Sequence, residues 1–130
     1  CDWFGITDLI CSRDTVDCFN SKVVQASMGS LSRVNIVYTD LYEFISEKQS
    51  FPIYGTLLEG LDIYQSELDS ESFVIFGNEA NGISSEIQKL VNQKISIPQY
   101  GKVQNTESLN VATATAITLA EFRRQESIGK

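Results

Sequence analysis

The sequence predicts one α/β domain built around a mainly parallel sheet. Its 130 residues match the length of a single domain, and 42% of them are apolar, which is sufficient for a hydrophobic core. Short β-branched segments alternate along the chain with segments of helical periodicity, and this alternation is typical of parallel sheets. The chain holds only 8 Gly and 2 Pro and shows no internal repeat or linker, so disordered and low-complexity classes are excluded.

Five segments are predicted as strands because they are short, apolar and bounded by turn residues. They are residues 6–11, 34–38, 51–58, 72–76 and 94–97. The fourth segment reads SFVIF and is the clearest candidate for a buried strand.

Four segments are predicted as helices: residues 20–28, 40–48, 84–92 and 108–126. The first stops at Gly29, which predicts a glycine cap. Asp40 with Glu43 three residues later forms a capping-box pattern, and Ser84 or Ser85 is expected to cap the third helix. In the last helix the apolar positions recur at threes and fours, which predicts a buried stripe. These positions are Leu109, Ala112, Ala116, Leu119 and Phe122.

The charge balance excludes a domain that binds nucleic acid by bulk charge. Seventeen acidic residues against ten basic ones give a formal net charge of −7. Any contact with nucleic acid must therefore be local or supplied from elsewhere. Arg13, Lys22 and Arg33 lie on or beside the first strand-to-helix region and could reach a phosphate, with a solvated surface as the alternative interpretation.

The residue types present also limit the chemistry and the compartment. The sequence has no His, which excludes Ser-His and Cys-His nucleophile pairs and most transition-metal sites, so no metal is expected. Cys1, Cys11 and Cys18 are odd in number and form no CxxC pair, which favours free thiols in a reducing compartment. No apolar run approaches the roughly 18 residues of a membrane span. We therefore expect a cytoplasmic protein with no membrane partner.

The first residues predict a longer polypeptide. The chain opens on Cys-Asp-Trp-Phe-Gly, without an initiator Met and with a large apolar pair already in place. This opening is typical of the interior of an element, so we expect a fragment whose upstream part is missing.

Two segments carry candidate functional residues. The first is GNEANG at 77–82, between a predicted strand and a helix, where ligands bind in open α/β sheets and glycines allow close backbone approach. It matches neither GxGxxG nor a P-loop, so taken alone it is equally a plain turn. The second is IPQYG at 97–101 followed by SLNV at 108–111, where Ser and Asn are common helix caps.

Together these segments have a more specific meaning than either has alone. A strand ending in GNExxG, a short helix, a strand ending in Ile-Pro and then SLNVATATAI resembles the last two signature motifs of the SpoU-type (TrmH-like) RNA ribose methyltransferases of the SPOUT superfamily. Upstream, DWFGITDLI and DCFNSKVVQASMGSLSRVNIV resemble the same family from the end of its first motif onward. The resemblance covers essentially the whole chain, residues 1–130, as a single catalytic domain.

The resemblance implies a doubly wound sheet whose C-terminal part is threaded into a deep trefoil knot that binds S-adenosylmethionine. It also implies a homodimer that transfers the sulfonium methyl to a ribose 2′-OH of tRNA or rRNA, with no metal required. Carried over to this sequence, the positions that bind the cofactor are Thr56, Leu57, Gly77, Ile97 and Leu109. The polar positions that organise the catalytic site are Glu79, Ser108 and Asn110.

The sequence departs from the family pattern in two places. The family carries an Asn and an essential Arg just before the segment that matches 2–5, and both would lie upstream of Cys1. The loop between Pro98 and Ser108 is a few residues longer than usual, through residues 104–106.

Two alternatives to the enzyme remain open. One is a non-catalytic knotted module that holds S-adenosylmethionine or RNA without turnover. The other is a generic nucleotide-binding α/β domain in which the motifs are coincidental. The small-residue face of the last helix, with Ala112, Ala116 and Ala120, is compatible with a dimer contact and equally with packing inside the chain.

Overall fold

The computed structural model of the chain describes residues 1–101 and 108–129. The lengthened loop expected at residues 104–106 lies outside the described residues. The chain divides into two compact units, Cys1–Glu47 and Lys48–Lys130, which are described in turn.

The first unit contains a two-stranded parallel sheet and two short helices. In chain order its elements are β1 (Asp8–Ser12), α1 (Ser21–Ser27), β2 (Asn35–Thr39) and α2 (Leu41–Ser46). The predicted capping residue of α2 is confirmed, because the Asp40 carboxylate accepts hydrogen bonds from the backbone N–H groups of Tyr42 and Glu43.

The end of α1 differs from the predicted glycine cap. Met28, at φ 50°, is the first residue after the helix to adopt the left-handed conformation, and Gly29 follows it at φ 86°. A glycine at the turn signals the end of the helix, but the chain reverses one residue earlier than that signal indicates.

The second unit contains a three-stranded parallel sheet in the order β4-β3-β5. Its elements are β3 (Ile53–Asp62), β4 (Phe73–Ile75), α3 (Ser85–Gln88), β5 (Gln93–Ser96) and α4 (Val111–Ile128). Ser84 caps α3 as predicted, since its hydroxyl accepts from the N–H of Ile87.

The predicted sheet is confirmed as parallel, but its strands are paired in two groups. Every pairing between the named strands is parallel, with β1–β2 in one unit and β4-β3-β5 in the other. The prediction of a buried strand at 72–76 is wrong in its degree of burial, because all three residues of β4 are only half-buried. Their high apolar content correctly predicted a strand but did not determine how deeply its side chains are buried.

Strand β3 is longer than predicted and contains an irregular segment. Thr56 and Leu61 are both paired with Ile95, so residues 57–60 form an excursion opposite a single residue of β5. Gly60 closes this excursion against β5, where a Cβ atom would lie 2.3 Å from the carbonyl carbon of Ile95. The Ser96 hydroxyl donates to the Gly60 carbonyl at 3.0 Å and fixes the same contact.

The core of the second unit is built around Tyr54, Ile63, Ile95 and Phe122. The rings of Tyr54 and Phe122 meet edge to face, with their centroids 5.2 Å apart. The buried phenol is satisfied by the loop that follows β3: its oxygen accepts from the N–H of Asp69 at 3.0 Å. Helix α4 is thereby packed on the sheet through its C-terminal half.

The predicted apolar stripe of α4 is correct only in that half. Leu119 and Phe122 are buried, whereas Leu109, Ala112 and Ala116 are exposed. Short alanine side chains satisfy a helical pattern without requiring burial, so periodicity alone overestimates the buried face.

Two polar residues complete the buried face of α4. Thr118 and Glu121 are both buried there. The Glu121 carboxylate forms an ion pair with Arg124 at 2.6 Å, and this hydrogen-bonded guanidinium holds the pKa of Glu121 below its ordinary value of 4.5. In the described part of the chain, no helix is long and apolar enough to cross a membrane.

Candidate functional site

Three of the predicted cofactor residues lie at one edge of the second unit's sheet. Thr56 ends the first segment of β3, Gly77 follows β4 by two residues, and Ile97 directly follows β5. The Thr56 hydroxyl donates to the carbonyl of Ile75, the last residue of β4, at 3.0 Å. This edge is where the carboxyl ends of parallel strands meet and where ligands bind in α/β folds.

The apolar members of the predicted set are only partly covered. Leu57 and Ile97 are half-buried, and Ile97 packs against the core cluster. Leu109 is 46% exposed. Leu57 and Ile97 therefore leave part of their apolar area uncovered where β3 and β5 end.

A tight loop follows β4 and carries Glu79. The backbone groups of Asn78 and Gly82 exchange two hydrogen bonds, of 3.0 and 2.7 Å. The Asn78 side chain accepts from the N–H of Ala80 at 2.8 Å, which completes an Asx turn. Gly82 adopts φ 65°, a conformation that side chains disfavour.

Gly77 has a structural reason to be glycine at this loop. A Cβ atom there would lie 2.5 Å from the carbonyl carbon of Gly82, so a side chain would collide with the chain's own backbone. The role of Gly77 toward a cofactor remains a prediction, since loop closure explains the residue by itself.

The loop places Glu79 at the start of α4. Its Oε1 atom accepts from the side-chain amide of Asn110 at 2.9 Å and from the N–H of Val111 at 3.2 Å. A carboxylate in this position is favoured by the positive end of an 18-residue helix. Its second oxygen, Oε2, has no hydrogen bond to the described residues and is available to a ligand.

Asn110 connects this carboxylate to the helix. Its side-chain oxygen accepts from the N–H groups of Ala112 and Thr113, at 3.0 and 3.3 Å, which makes Asn110 the N-cap. The helix begins at Val111, so the predicted start at Ser108 is three residues early. The structure thus joins Glu79 and Asn110 directly.

Ser108 lies near the junction of Glu79 and Asn110 because it is two residues before Asn110 in the chain. It is exposed and lies two residues before the cap, and no hydrogen bond joins it to Glu79 or Asn110 among the described residues. Its hydroxyl is free to donate to or accept from a ligand.

Sequence reasoning missed two contributors to this site. The backbone N–H of Val111 shares the Glu79 carboxylate, and Gly60 sets the position of β5 and hence of Ile97. For Gly60, the available signal was a glycine at the end of the LLEG segment, but its close approach to β5 depends on strand pairing. The contact from the backbone N–H of Val111 could be inferred only once Asn110 was known to be the N-cap.

Arg33, one of the candidate phosphate contacts, is already engaged in the first unit. Its guanidinium donates to the Asp2 carboxylate at 2.7 and 2.8 Å, and these bonds hold the pKa of Asp2 below its ordinary value. More than half of the Arg33 side chain is still exposed. The ion pair weakens, without removing, its attraction for a phosphate.

Two further features of the described residues bear on ligands. An open depression of about 640 Å³ is lined by Tyr54, Lys94 and residues 65–69, and it includes none of the predicted site residues. Within residues 1–101 and 108–129, no three His, Cys, Asp or Glu side chains are grouped so as to hold a metal ion.

Several known proteins are similar to this chain in sequence or in structure. A tRNA (guanosine(18)-2′-O)-methyltransferase of Thermus thermophilus is 35% identical over 96% of this chain and 64% of its own length. A TrmH-family protein of Porphyromonas gingivalis has a similar structure, with a TM-score of 0.86 and 37% identity over 95% of this chain and 51% of that protein. An rRNA methyltransferase of Sinorhizobium meliloti, solved with AdoMet bound, gives a TM-score of 0.83 and 31% identity over 95% of this chain and 48% of that protein.

The chain spans about half the length of the curated relatives it matches. The model of the SpoU rRNA Methylase family matches residues 1–120, which include β1 to β5, the Glu79 loop and the first half of α4. The chain belongs to the SpoU rRNA Methylase family.

Proposed function

We propose that this chain is the catalytic domain of an S-adenosylmethionine-dependent methyltransferase that modifies a ribose 2′-OH in tRNA or rRNA. The observation that carries the proposal is the junction of Glu79 and Asn110 at the start of α4, beside the carboxyl edge of the sheet. The names of relatives in the same family, which act on tRNA and rRNA, support the substrate class.

The residues at the edge fit the cofactor's chemistry. Leu57, Ile97 and Leu109 offer partly open apolar area, and Thr56 and Gly77 bring backbone groups to the same edge. A mostly apolar site with a few polar groups suits an adenosine ligand. When bound, S-adenosylmethionine supplies a methyl group on a positively charged sulfur, which is a good leaving group.

The chain's own residues then orient the ribose. Methyl transfer would form a bond from the ribose O2′ to the methyl carbon and break the bond from that carbon to sulfur, and the hydroxyl proton would pass to water. Asn110 holds one Glu79 oxygen in place, so the second oxygen can accept a hydrogen bond from a ribose hydroxyl. Ser108 adds an exposed hydroxyl next to the same helix start.

Four properties of the whole chain belong to the same proposal. The family match extends across both compact units, which supports one catalytic domain over 1–130. The TM-score of 0.86 to a TrmH-family protein supports the doubly wound sheet and C-terminal trefoil knot that the resemblance implies.

Three free cysteines fit a cytoplasmic location, and the exposed alanines of α4 fit a homodimer.

The first test of the proposal is calorimetric titration with S-adenosylhomocysteine, using ATP as the control ligand. We expect micromolar binding of S-adenosylhomocysteine alone. Leu109→Ala should weaken that affinity, whereas Ile128→Ala, which removes a comparably exposed side chain at the far end of α4, should leave it unchanged. Equal binding of ATP would favour a generic nucleotide-binding domain.

The second measurement is methyl transfer to transcripts of tRNA and rRNA. The resemblance expects an Asn and an Arg ahead of Asp2, so turnover is measured on the full-length protein. Incorporation of a methyl group that protects the ribose from alkaline cleavage would support the reaction. Tight binding of the cofactor without incorporation would favour the non-catalytic module.

A further inference from the structure

An exposed aromatic side chain follows the candidate site closely in the chain. Tyr100 is 83% exposed and lies four residues after Ser96, the last residue of β5. Its hydroxyl forms no hydrogen bond with the described residues. Tyr100 lies three positions after Ile97, so the two Cα atoms lie within about 11 Å of each other.

The neighbouring residues hold the base of this segment in place. Ile97 packs against the core cluster of the second unit, and Pro98 restricts the backbone directly after it. Tyr100 therefore follows an anchored point at the sheet edge by three residues. An exposed tyrosine ring offers a rigid apolar face that can stack against a planar ligand.

The charge of the chain limits how that ligand can be held. The formal net charge is −7, and Arg33 is already paired with Asp2. Electrostatic attraction to phosphates is therefore a weak source of RNA affinity for this chain. Stacking of a nucleobase on an aromatic ring needs no positive charge and accepts any base.

We propose that Tyr100 stacks against an unpaired nucleobase of the RNA substrate and so positions the target nucleotide at the sheet edge. The proposal rests on the function proposed above. Tyr100 acts as a substrate-positioning residue, and its ring rather than its hydroxyl makes the contact.

The test compares Tyr100→Ala and Tyr100→Phe in the full-length protein. Base stacking on an aromatic ring corresponds to about a 5- to 150-fold change in affinity. We expect Tyr100→Ala to raise the KM for RNA by a factor in that range and to leave the affinity for S-adenosylhomocysteine unchanged. Tyr100→Phe should retain the wild-type KM because it keeps the ring.

Two controls separate stacking from a general disturbance of the loop. Gln99→Ala removes an exposed neighbouring side chain, and Tyr64→Ala removes a ring that is 46% exposed elsewhere in the same unit. Neither should change the KM for RNA. An unchanged KM in Tyr100→Ala, or an increase in Tyr100→Phe equal to that in Tyr100→Ala, would overturn the inference.

Failure of the inference can be distinguished from failure of the proposed function. A wild-type protein that methylates RNA, combined with an inert Tyr100→Ala substitution, removes only the role of Tyr100. A wild-type protein that neither binds S-adenosylhomocysteine nor transfers a methyl group removes the proposed function and, with it, this inference.

Discussion

A single amide side chain links the catalytic candidates to the fold. The oxygen of Asn110 caps α4, and its nitrogen donates to Glu79. Ser or Asp could supply the capping oxygen, but only an amide offers an acceptor and a fixed donor together. This double role explains why Asn stands at a position where several residue types would cap equally well.

Substitution of Asn110 should separate the two roles. Asn110→Ala removes both, so we expect the free energy of unfolding to fall by about 0.5–2 kcal/mol and turnover to fall as well. Asn110→Ser keeps a capping oxygen, so its stability should stay near wild type while turnover falls. Urea denaturation and the kcat for RNA methylation measure the two effects. Wild-type turnover in Asn110→Ser would show that the bond to Glu79 is dispensable.

At the scale of elements, the two glycines around the Glu79 loop serve different purposes. Gly77 is needed for space, because its Cβ would lie 2.5 Å from backbone atoms of the loop. Gly82 is needed for conformation, because its φ is 65° while nothing lies within 4 Å of a Cβ built there. The loop can relieve neither constraint by moving a flexible side chain.

Alanine substitutions at Gly77 and Gly82 should therefore lower the free energy of unfolding by different amounts. Gly82→Ala should lower the free energy of unfolding by about 1–2 kcal/mol, the cost of a left-handed alanine. Gly77→Ala should lower it by more, because backbone must shift. Gly82→Asn serves as a control, since Asn tolerates the left-handed region and should recover part of the loss. Thermal unfolding gives the order, and a Gly77→Ala variant more stable than Gly82→Ala would contradict it.

The same lack of space at Gly77 affects the larger substitution Gly77→Val. Loss of cofactor affinity in Gly77→Val would follow from displacement of the Glu79 loop as readily as from a blocked cofactor contact. Leu109 gives a cleaner test of the pocket, because truncating a half-exposed side chain leaves the backbone in place.

The elements were predictable where a local signal determines them. Asp40 and Ser84 cap their helices as the sequence predicts, because capping depends on residues three positions apart. The excursion in β3 was not predictable, since it depends on how residues 57–60 meet Ile95 on another strand. Met28 was missed for a related reason: its left-handed conformation carries no glycine signal.

The members of the candidate site remain a prediction from the sequence, and the structure shows part of their geometry. The order of the motifs indicated Glu79, Ser108 and Asn110 together, and the structure joins the first and last by a hydrogen bond. Composition and periodicity alone gave no more than an α/β domain with a glycine loop. The family resemblance supplied the chemistry, because a carboxylate and an amide are common caps without it.

At the scale of the whole molecule, α4 presents a row of small exposed residues. Ala112, Ala116 and Ala120 lie one turn apart and are not covered by the chain itself. Among the described residues of the second unit, no side chain buries this row. A second copy is the partner we propose for this row.

A charge introduced into this row should weaken the proposed homodimer. We expect the wild-type protein to sediment as a dimer and Ala116→Glu to shift toward the monomer, because a buried carboxylate without a partner opposes association. Ala116→Ser keeps the small size and should remain dimeric. Sedimentation velocity at matched concentrations makes the comparison. A dimeric Ala116→Glu protein would place the interface elsewhere.

Gly60 has a consequence for how the sheet can assemble. Its backbone contacts Ile95 where no side chain fits, so the observed alignment of β3 and β5 needs a glycine at this position. A slip by one residue would bring Glu59 or Leu61 to that point and would also move Ile97 away from the edge. The glycine therefore favours the native register over its one-residue neighbours, and with it the native position of Ile97.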